Sequence, residues 1–296
     1  MRHRHHASVP TAQPCGYQPG PGRASAALRR GQGGFTLVEL VLVIALAGVV
    51  AVMISTVLSR PLQGFVDQSR RAELTDQAAT ALNHMVRELR RAVPNSVRES
   101  PGGLDFLPVH EMGRYEESPD GPLPTCDATG CRIRMLTELD AGRVAGAHWA
   151  VIYNLGAESG GVPIAGQNLW AFANPGVITP QGASFAWDHG SGQLTLQDVG
   201  AFRFAWASPQ RRLYLAREAL RYRCESGVLW RETFDTLDLT QTPLRRAPLA
   251  DAVAFCDFTY RPGNHSRQAL VTLRLALSKD GETIQLVQQV HVDNAP

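Results

Sequence analysis

The chain has 296 residues, and its 29 basic and 27 acidic side chains nearly balance. The first 34 residues contain five arginines and no acidic residue, so the rest of the chain has 24 basic against 27 acidic side chains, a net charge of −3. A chain of this length can bury one large or two ordinary hydrophobic cores, and its slightly negative body argues against a nucleic-acid partner.

The N-terminal segment, residues 1–34, is basic and rich in proline, glutamine, glycine and alanine. It lacks the apolar core of about 7–15 residues that defines a conventional secretory signal peptide. The histidines at positions 3, 5 and 6 are of a type that binds metals, but a solvated basic tail is the favoured interpretation. A translation start downstream of Met1 stays open.

Residues 35–58 form an apolar run long enough to cross a bilayer as a helix, which needs about 20 residues at about 1.5 Å each. Glu39 is the exception in this run, because a carboxylate costs about 2.5–3.5 kcal/mol at the bilayer centre and less near the surface. We therefore expect Glu39 to have a partner. Within about 15 residues of each end, three arginines precede the run and three follow it, so this count does not predict its orientation.

The residues that join the basic segment to the apolar run are Gly33-Gly34-Phe35-Thr36-Leu37-Val38-Glu39-Leu40. They resemble the cleavage and methylation site of type IV prepilins and of the pseudopilins of type II secretion. The resemblance implies that a prepilin peptidase and N-methyltransferase cuts after Gly34 and methylates Phe35, and that Glu39 pairs with the N-terminal ammonium of a neighbouring subunit. The alternative is a simple membrane anchor whose Glu39 lies among lipid headgroups.

After the apolar run the pattern becomes that of an amphipathic helix. A bend is expected at Pro61 and Gly64, because proline removes a backbone hydrogen-bond donor. Apolar residues then recur at intervals of three and four and define one stripe, formed by Leu74, Ala78, Leu82, Met85, Leu89 and Val93. The helix is predicted to end at Pro94. The stripe suits packing on a sheet, as in pilins, and a coiled coil is the alternative.

Beyond residue 95 apolar and polar residues alternate, which is typical of β-strands. Residues 108–130 and 156–182 are predicted loops, and Ser226-Gly227 and Asp280-Gly281 are predicted hairpin turns. Strands are predicted at residues 104–107, 131–136, 149–155, 183–187, 193–197, 202–206, 211–217, 219–225, 228–234, 252–260, 271–277 and 284–292. A long helix followed by an antiparallel sheet predicts an α+β fold of the pilin kind.

Five cysteines divide by position, since Cys15 lies in the N-terminal segment and Cys126, Cys131, Cys224 and Cys256 lie in the body. An even number of cysteines outside the cytoplasm indicates disulfides, and four cysteines allow three pairings. We favour Cys126 with Cys131, because a six-residue loop closes easily, and Cys224 with Cys256. A zinc site is the alternative, but its paired Cys-x-x-Cys spacing is absent from the sequence.

Sequence motifs of common enzymes are absent, including Gly-x-Ser-x-Gly, His-Glu-x-x-His and a phosphate-binding glycine loop before a helix. The nearest to an acid–base or metal pair are His110 with Glu111 and His291 with Asp293, and each is a single pair on a predicted loop or strand end. We therefore predict no enzyme activity, no bound metal and no cofactor.

Two further features have a functional and a structural interpretation. Asp235 and Asp238, with Thr236 and Thr240, offer too few ligands for a calcium cage, so a solvated turn is favoured. Aromatic residues on a surface can form a platform for carbohydrate or a partner, but alternation predicts most of the tryptophans to be sheet core. These tryptophans are Trp149, Trp170, Trp187, Trp206 and Trp230.

A second, looser resemblance spans the rest of the chain. Residues 67–74, 255–260 and 288–296 look like the corresponding parts of minor pilins of the MshO kind, from mannose-sensitive haemagglutinin (MSHA) pili. Minor pilins of the PilW and GspJ kinds share the same build. This resemblance is less specific than the cleavage motif.

Together these features predict a minor pilin-like subunit whose role is assembly. Residues 1–34 are the removed leader, 35–58 the transmembrane and filament-core helix, 59–93 its amphipathic continuation, and 94–296 an extracytoplasmic β-rich domain. The expected partners are the prepilin peptidase, other major and minor pilins or pseudopilins, and inner-membrane lipid. The C-terminal domain is expected in the periplasm until the subunit enters a pilus or pseudopilus.

Two alternatives stay open: a type II secretion pseudopilin, and an anchored periplasmic binding or adhesion module that does not polymerise.

Overall fold

The computed structural model of the protein describes residues 34–117, 121, 123, 126–127, 130–263 and 267–296, with the backbone alone at 56 and 58–63. The predicted histidine cluster and Cys15 belong to residues 1–33 and lie outside this part of the chain. The chain divides into two compact units, one ending at Ser59 and the other beginning at Arg60.

The described part of the first unit is the apolar beginning of helix α1 (Leu37–Leu89). The stretch Leu37–Ser55 has a mean hydropathy of 2.9, and none of it is buried within the chain. Its large aliphatic side chains are exposed, with Leu37 at 79% and Ile44 at 63%. A helix of this length and composition is consistent with a single-pass membrane anchor.

In the second unit the remainder of α1 is amphipathic, as its spacing predicts. Five residues of the predicted stripe are at most 2% exposed: Leu74, Ala78, Leu82, Met85 and Leu89. The helix ends at Leu89, before the predicted end, because Ala92 pairs with Pro108 in an isolated β-bridge. Val93, the last predicted member of the stripe, donates its N–H to the carbonyl oxygen of Leu107 at 2.8 Å.

The rest of the second unit is mostly antiparallel strands, with one short helix. That helix is α2 (Ala141–Ala145). The strands of the described residues are β1 (Arg98–Ser100), β2 (Gly103–Phe106), β3 (Glu111–Arg114), β4 (Cys126–Asp127), β5 (Gly130–Arg134), β6 (Trp149–Val151), β7 (Glu158–Ser159), β8 (Val162–Pro163), β9 (Ser184–Asp188), β10 (Gln193–Gln197), β11 (Arg212–Ala216), β12 (Ala219–Glu225), β13 (Val228–Phe234), β14 (Arg245–Ala250), β15 (Val253–Arg261), β16 (Ala269–Lys279) and β17 (Glu282–Val292).

These strands form several antiparallel sheets. A five-stranded sheet has the order β1-β2-β12-β13-β14, and a three-stranded sheet has the order β15-β16-β17. A four-stranded sheet β4-β5-β10-β9, a three-stranded sheet β3-β11-β6 and the small hairpin β7-β8 account for the others in the described residues. The predicted α+β fold, an apolar N-terminal helix followed by a domain rich in antiparallel sheet, is confirmed.

The largest core cluster joins α1 to the first two of these sheets. Alternate residues of β16 point into it, and Val271, Leu273, Leu275 and Leu277 are all fully buried. Arg274, between two of them, is exposed. Burying a leucine or valine side chain contributes about 1.5–3 kcal/mol, so this alternation decides which face of β16 meets the helix.

Several strand and loop predictions were wrong. The predicted loop 108–130 contains β3, and the predicted loop 156–182 contains the hairpin β7-β8. Residues 202–206 alternate like a strand, but the Arg203 N–H donates to Asn174 Oδ1 at 3.0 Å and Phe204 makes only an isolated bridge. The strand predicted at residues 149–155 ends at Val151, since Tyr153 has a left-handed φ of 51°. Strand β14 was not predicted, because four of its six residues are exposed and the strand shows no alternation.

A half-buried charge network attaches α1 to the five-stranded sheet. Arg231 of β13 donates from Nη2 to Glu88 Oε1 at 2.9 Å, and the Tyr222 hydroxyl of β12 donates to Glu88 Oε2. Burial raises the pKa of Glu88, but the hydrogen bonds from Arg231 and Tyr222 and the Arg231 charge outweigh burial, so its pKa lies below the ordinary value. The network therefore stabilises the fold through the ionised form of Glu88.

We expect Tyr222→Phe to lower the free energy of unfolding by about 1–2 kcal/mol at neutral pH, because a hydrogen bond to a charged group is lost. Glu88 has a depressed pKa in the folded state, so its contribution is present above its ordinary pKa and is lost as the pH falls through the folded value. The loss caused by Tyr222→Phe should shrink over that acidic range. Urea unfolding of the detergent-solubilised protein at several pH values measures this.

Tyr260→Phe is the matched control, since the Tyr260 hydroxyl has no hydrogen bond with any residue the structure describes. It should change the free energy of unfolding by less than about 0.5 kcal/mol. Equal effects of the two substitutions would contradict the role given to the Tyr222 hydroxyl.

Candidate processing and assembly site

The predicted cleavage motif lies where helix α1 begins. Thr36 caps the helix, because its Oγ1 accepts the Glu39 N–H at 3.3 Å and its carbonyl oxygen accepts the Leu40 N–H at 3.2 Å. A threonine cap contributes about 1 kcal/mol to helix stability. The spacing Thr36-x-x-Glu39 is that of a capping box, a local signal that was readable in the sequence and was missed.

Both residues at the predicted cut are accessible. Gly34 precedes the helix, and a Cβ atom placed on it would meet no atom of the described residues within 4 Å. Phe35 is 80% exposed. The bond between them therefore lies in a non-helical segment next to a helix end, although its cleavage stays a prediction.

The carboxylate of Glu39 is exposed and makes no hydrogen bond or ion pair with another residue in the described part of the chain. Its position in the first turn places it near the positive end of the helix dipole, which favours a negative charge by about 0.3–1 kcal/mol. That attraction is too small to replace a counter-ion in an apolar setting. The local fold thus leaves the carboxylate available to a cation from another molecule.

Both favoured cysteine pairs are disulfide-bonded. Cys126 and Cys131 are direct partners across the β4-β5 hairpin, with their Cα atoms 4.1 Å apart. Cys224 of β12 is bonded to Cys256 of β15, with their Cα atoms 6.5 Å apart. The second bond joins the five-stranded sheet to the sheet β15-β16-β17, so it links the two sheets that share the α1 core.

The minor candidate sites take structural positions. Asp293 pairs with Arg212 at 3.7 Å, and the Asp238 carboxylate accepts hydrogen bonds from Thr240 and Gln241 within its own turn. Hydrogen bonds from Gln241 and Thr240 lower the pKa of Asp238. No group of three or more His, Cys, Asp or Glu side chains lies together as a metal site among the residues described.

The prediction that most tryptophans are core residues is confirmed only in part, since Trp149 lies in a core cluster and Trp170 and Trp187 pack against the edges of core clusters. Trp149 is fully buried, Trp206 is 46% exposed, and the other three are half-buried. Arginines cover two of the half-buried rings: Arg98 lies 4.0 Å from the Trp170 ring centre, and Arg246 lies 4.1 Å from that of Trp230. Such cation–π contacts shield an aromatic face at the surface, which alternation along a strand does not reveal.

Comparison with known proteins identifies the N-terminal motif. Residues 29–55 match the family model described as the prokaryotic N-terminal methylation motif. This match includes Gly34, Phe35 and Glu39, and it supports a type IV pilin-like or pseudopilin subunit. No curated protein and no solved structure matches the chain.

Proposed function

We propose that this protein is a minor pilin-like subunit of a type IV pilus of the MSHA kind, that a prepilin peptidase processes it, and that it acts in pilus assembly or surface attachment. The match of residues 29–55 to the methylation motif carries the proposal. The MSHA assignment depends on the looser resemblance of residues 67–74, 255–260 and 288–296. The proposed role is assembly and not catalysis.

The proposed assembly step depends on one charge. Cleavage after Gly34 makes Phe35 the N-terminal residue, and its methylated amine is a cation at the same helix end as Glu39. When apolar helices of neighbouring subunits pack together, a carboxylate removed from water must meet an opposite charge. Pairing of Glu39 with the Phe35 ammonium of another subunit meets this need and fixes how far one helix is displaced along the next.

The proposed location is the inner membrane, with one crossing and the C-terminal domain in the periplasm, before incorporation into a filament. The exposed apolar stretch Leu37–Ser55 supports the single crossing. The disulfides Cys126–Cys131 and Cys224–Cys256 support an oxidising compartment for the body, because thiols stay reduced in the cytosol.

A pseudopilin of a type II secretion system is the second candidate, since the motif match supports it equally. Affinity purification of the membrane-extracted protein separates the two. Co-purification with pilins of one pilus would favour the first candidate, and co-purification with pseudopilins would favour the second. An anchored binding or adhesion module that does not polymerise would co-purify with neither pilins nor pseudopilins.

We expect the intact mass of the membrane-extracted protein to show loss of residues 1–34 and gain of one methyl group. Gly34→Val should leave the leader attached, because the residue before the cut is changed. A Cβ atom at Gly34 would meet no atom of the described residues within 4 Å, so the described structure shows no packing clash that would explain this loss. Intact-mass spectrometry of both proteins measures the outcome.

Gly48→Ala is the matched control, because a Cβ atom at Gly48 also meets nothing within 4 Å in the described part of the chain and Gly48 lies beyond the predicted cut. Its mass should show normal cleavage and methylation. A wild-type chain that still begins upstream of Phe35 in the membrane would rule out the proposed processing.

A further inference from the structure

A positively charged region surrounds His110 in the second unit. The His110 N–H donates to the Leu215 carbonyl oxygen of β11 at 2.8 Å, and the Val109 N–H donates to the Arg91 carbonyl oxygen at 2.7 Å. These two bonds hold His110 between the chain that follows α1 and the end of β11. Its imidazole Nε2 would be 3.6 Å from a Cβ atom on Gly146, so the end of α2 lies against the ring.

Three arginines from three elements act on this imidazole. Arg91 follows α1, Arg143 belongs to α2, and Arg217 follows β11. Burial lowers the pKa of His110, the charges of Arg217, Arg143 and Arg91 lower it further, and Glu111 acts in the opposite direction. The ring is therefore neutral at pH 7 and lies in a positive potential.

The guanidinium groups around His110 have few partners. Within the described ranges, those of Arg90, Arg143 and Arg217 make no hydrogen bond or ion pair, and that of Arg91 donates to the Val109 carbonyl oxygen at 3.4 Å.

Two carboxylates of the same region already pair with other arginines in it. Glu218 pairs with Arg245 at 3.2 Å, and Glu88 pairs with Arg231 at 2.9 Å. These pairs leave Arg91, Arg143 and Arg217 without a carboxylate partner among the described residues, and Glu111 offsets part of their charge at His110.

Two adjoining cavities open onto this region, with volumes of about 210 and 370 Å³. Both are lined by Arg91, Val109 and His110, and we name the combined space the His110 cleft. Seven arginines and four acidic residues line it, a net charge of +3, whereas the chain after residue 34 has a net charge of −3.

We propose that the His110 cleft binds an oxyanion group, a phosphate or a carboxylate, beside Arg91, with Arg217 as the second guanidinium group in one cavity and Arg143 in the other. Guanidinium groups bind both kinds of oxyanion through paired, charge-assisted hydrogen bonds. The cavities admit a small charged group, and a longer ligand can place two such groups because the cavities adjoin. A free phosphate and an acidic side chain of a partner protein share this chemistry.

The test titrates the full-length protein in neutral detergent with inorganic phosphate and, separately, with a tri-glutamate peptide. NMR of protein labelled at its histidines follows the imidazole signal of His110. This signal is assigned as the one that is missing from the spectrum of His110→Gln. A bound anion offsets the arginine charges, so the pKa of His110 should rise on saturation with at least one probe. A rise with phosphate alone identifies phosphate ligands, and a rise with the peptide alone identifies carboxylate ligands.

Arg143→Glu and Arg217→Glu should each weaken binding of the effective probe by about tenfold or more, because each replaces an attracting charge with a repelling one. Arg203→Glu is the matched control. Arg203 is exposed, has no side-chain partner among the described residues and lines neither cavity. Arg203→Glu therefore changes the net charge of the protein by the same amount without changing the lining of the cleft. Arg143→Gln and Arg217→Gln keep the test usable should a charge reversal disturb folding.

Three results would overturn the proposal: no change in the His110 pKa with either probe, binding unaffected by the Arg143 and Arg217 variants, or equal weakening by Arg203→Glu. The titration needs neither leader cleavage nor filaments. Its failure would therefore leave the proposed assembly function intact, and failure of processing would leave this proposal intact.

Discussion

Glu39→Gln is expected to reach the membrane but to be almost absent from sheared filaments. Removing one partner of a buried ion pair costs about 3–5 kcal/mol, since the other charge stays buried alone, and this corresponds to a loss of incorporation of about a hundredfold or more. Glu39 is the only charged side chain in residues 35–58, so no neighbour in that stretch can replace it. Immunoblots of filament and membrane fractions measure the effect.

Glu39→Gln removes the charge without removing the helix cap. The Thr36 side chain accepts the backbone N–H of residue 39, and a glutamine has the same N–H. Thr36→Val is the complementary control: it removes the cap, worth about 1 kcal/mol, and keeps the carboxylate. Incorporation should fall much less with Thr36→Val than with Glu39→Gln. Normal incorporation of Glu39→Gln would contradict the assembly role and favour a simple anchor.

The sequence predicts those elements whose signal is local. Strands β12 and β13 have the bounds predicted for them, since Ser226 and Gly227 adopt left-handed φ values of 52° and 75° and form the tight turn between them. The stripe of α1 was predictable because one helix face is buried along several turns. Cleavage motifs are equally local, because a peptidase reads a short segment irrespective of the fold that follows.

Features that depend on distant residues were not predictable. Strand β14 contains Pro248 and is mostly exposed, so it becomes a strand by pairing with β13 and not by its own pattern. Helix α2 has only five residues and depends on Asp140, which accepts the Arg143 N–H at 2.8 Å. Neither element has the length or periodicity that a sequence pattern needs.

The His110 cleft shows the same limit for a candidate site. In the sequence the pair His110-Glu111 is only a weak acid–base candidate, but the structure surrounds His110 with arginines from positions 91, 143 and 217. Those positions are far apart in the chain, and arginines are frequent throughout it, so no spacing marks them as a group. Only folding brings α2 and the ends of α1 and β11 together.

Loss of the Cys224–Cys256 disulfide is expected to destabilise the second unit more than loss of Cys126–Cys131. The sequence separations are 32 and 5 residues, and a cross-link that closes a longer loop restricts the unfolded chain more. The double alanine variants should lose about 4 and about 2 kcal/mol of unfolding free energy, respectively. Urea unfolding followed by tryptophan fluorescence measures both, because all five tryptophans belong to this unit.

Which of the two double alanine variants loses more unfolding free energy shows whether restriction of the unfolded chain or side-chain packing dominates. Cys131 is fully buried, whereas Cys224 and Cys256 are only partly buried against the α1 core, so loss of packing alone would make the Cys126–Cys131 variant the weaker protein. Cys15→Ala is the control, since Cys15 belongs to the predicted leader, and it should leave the free energy of unfolding unchanged. A larger loss for the short loop would show that side-chain packing, and not the cross-link between the two sheets over α1, dominates.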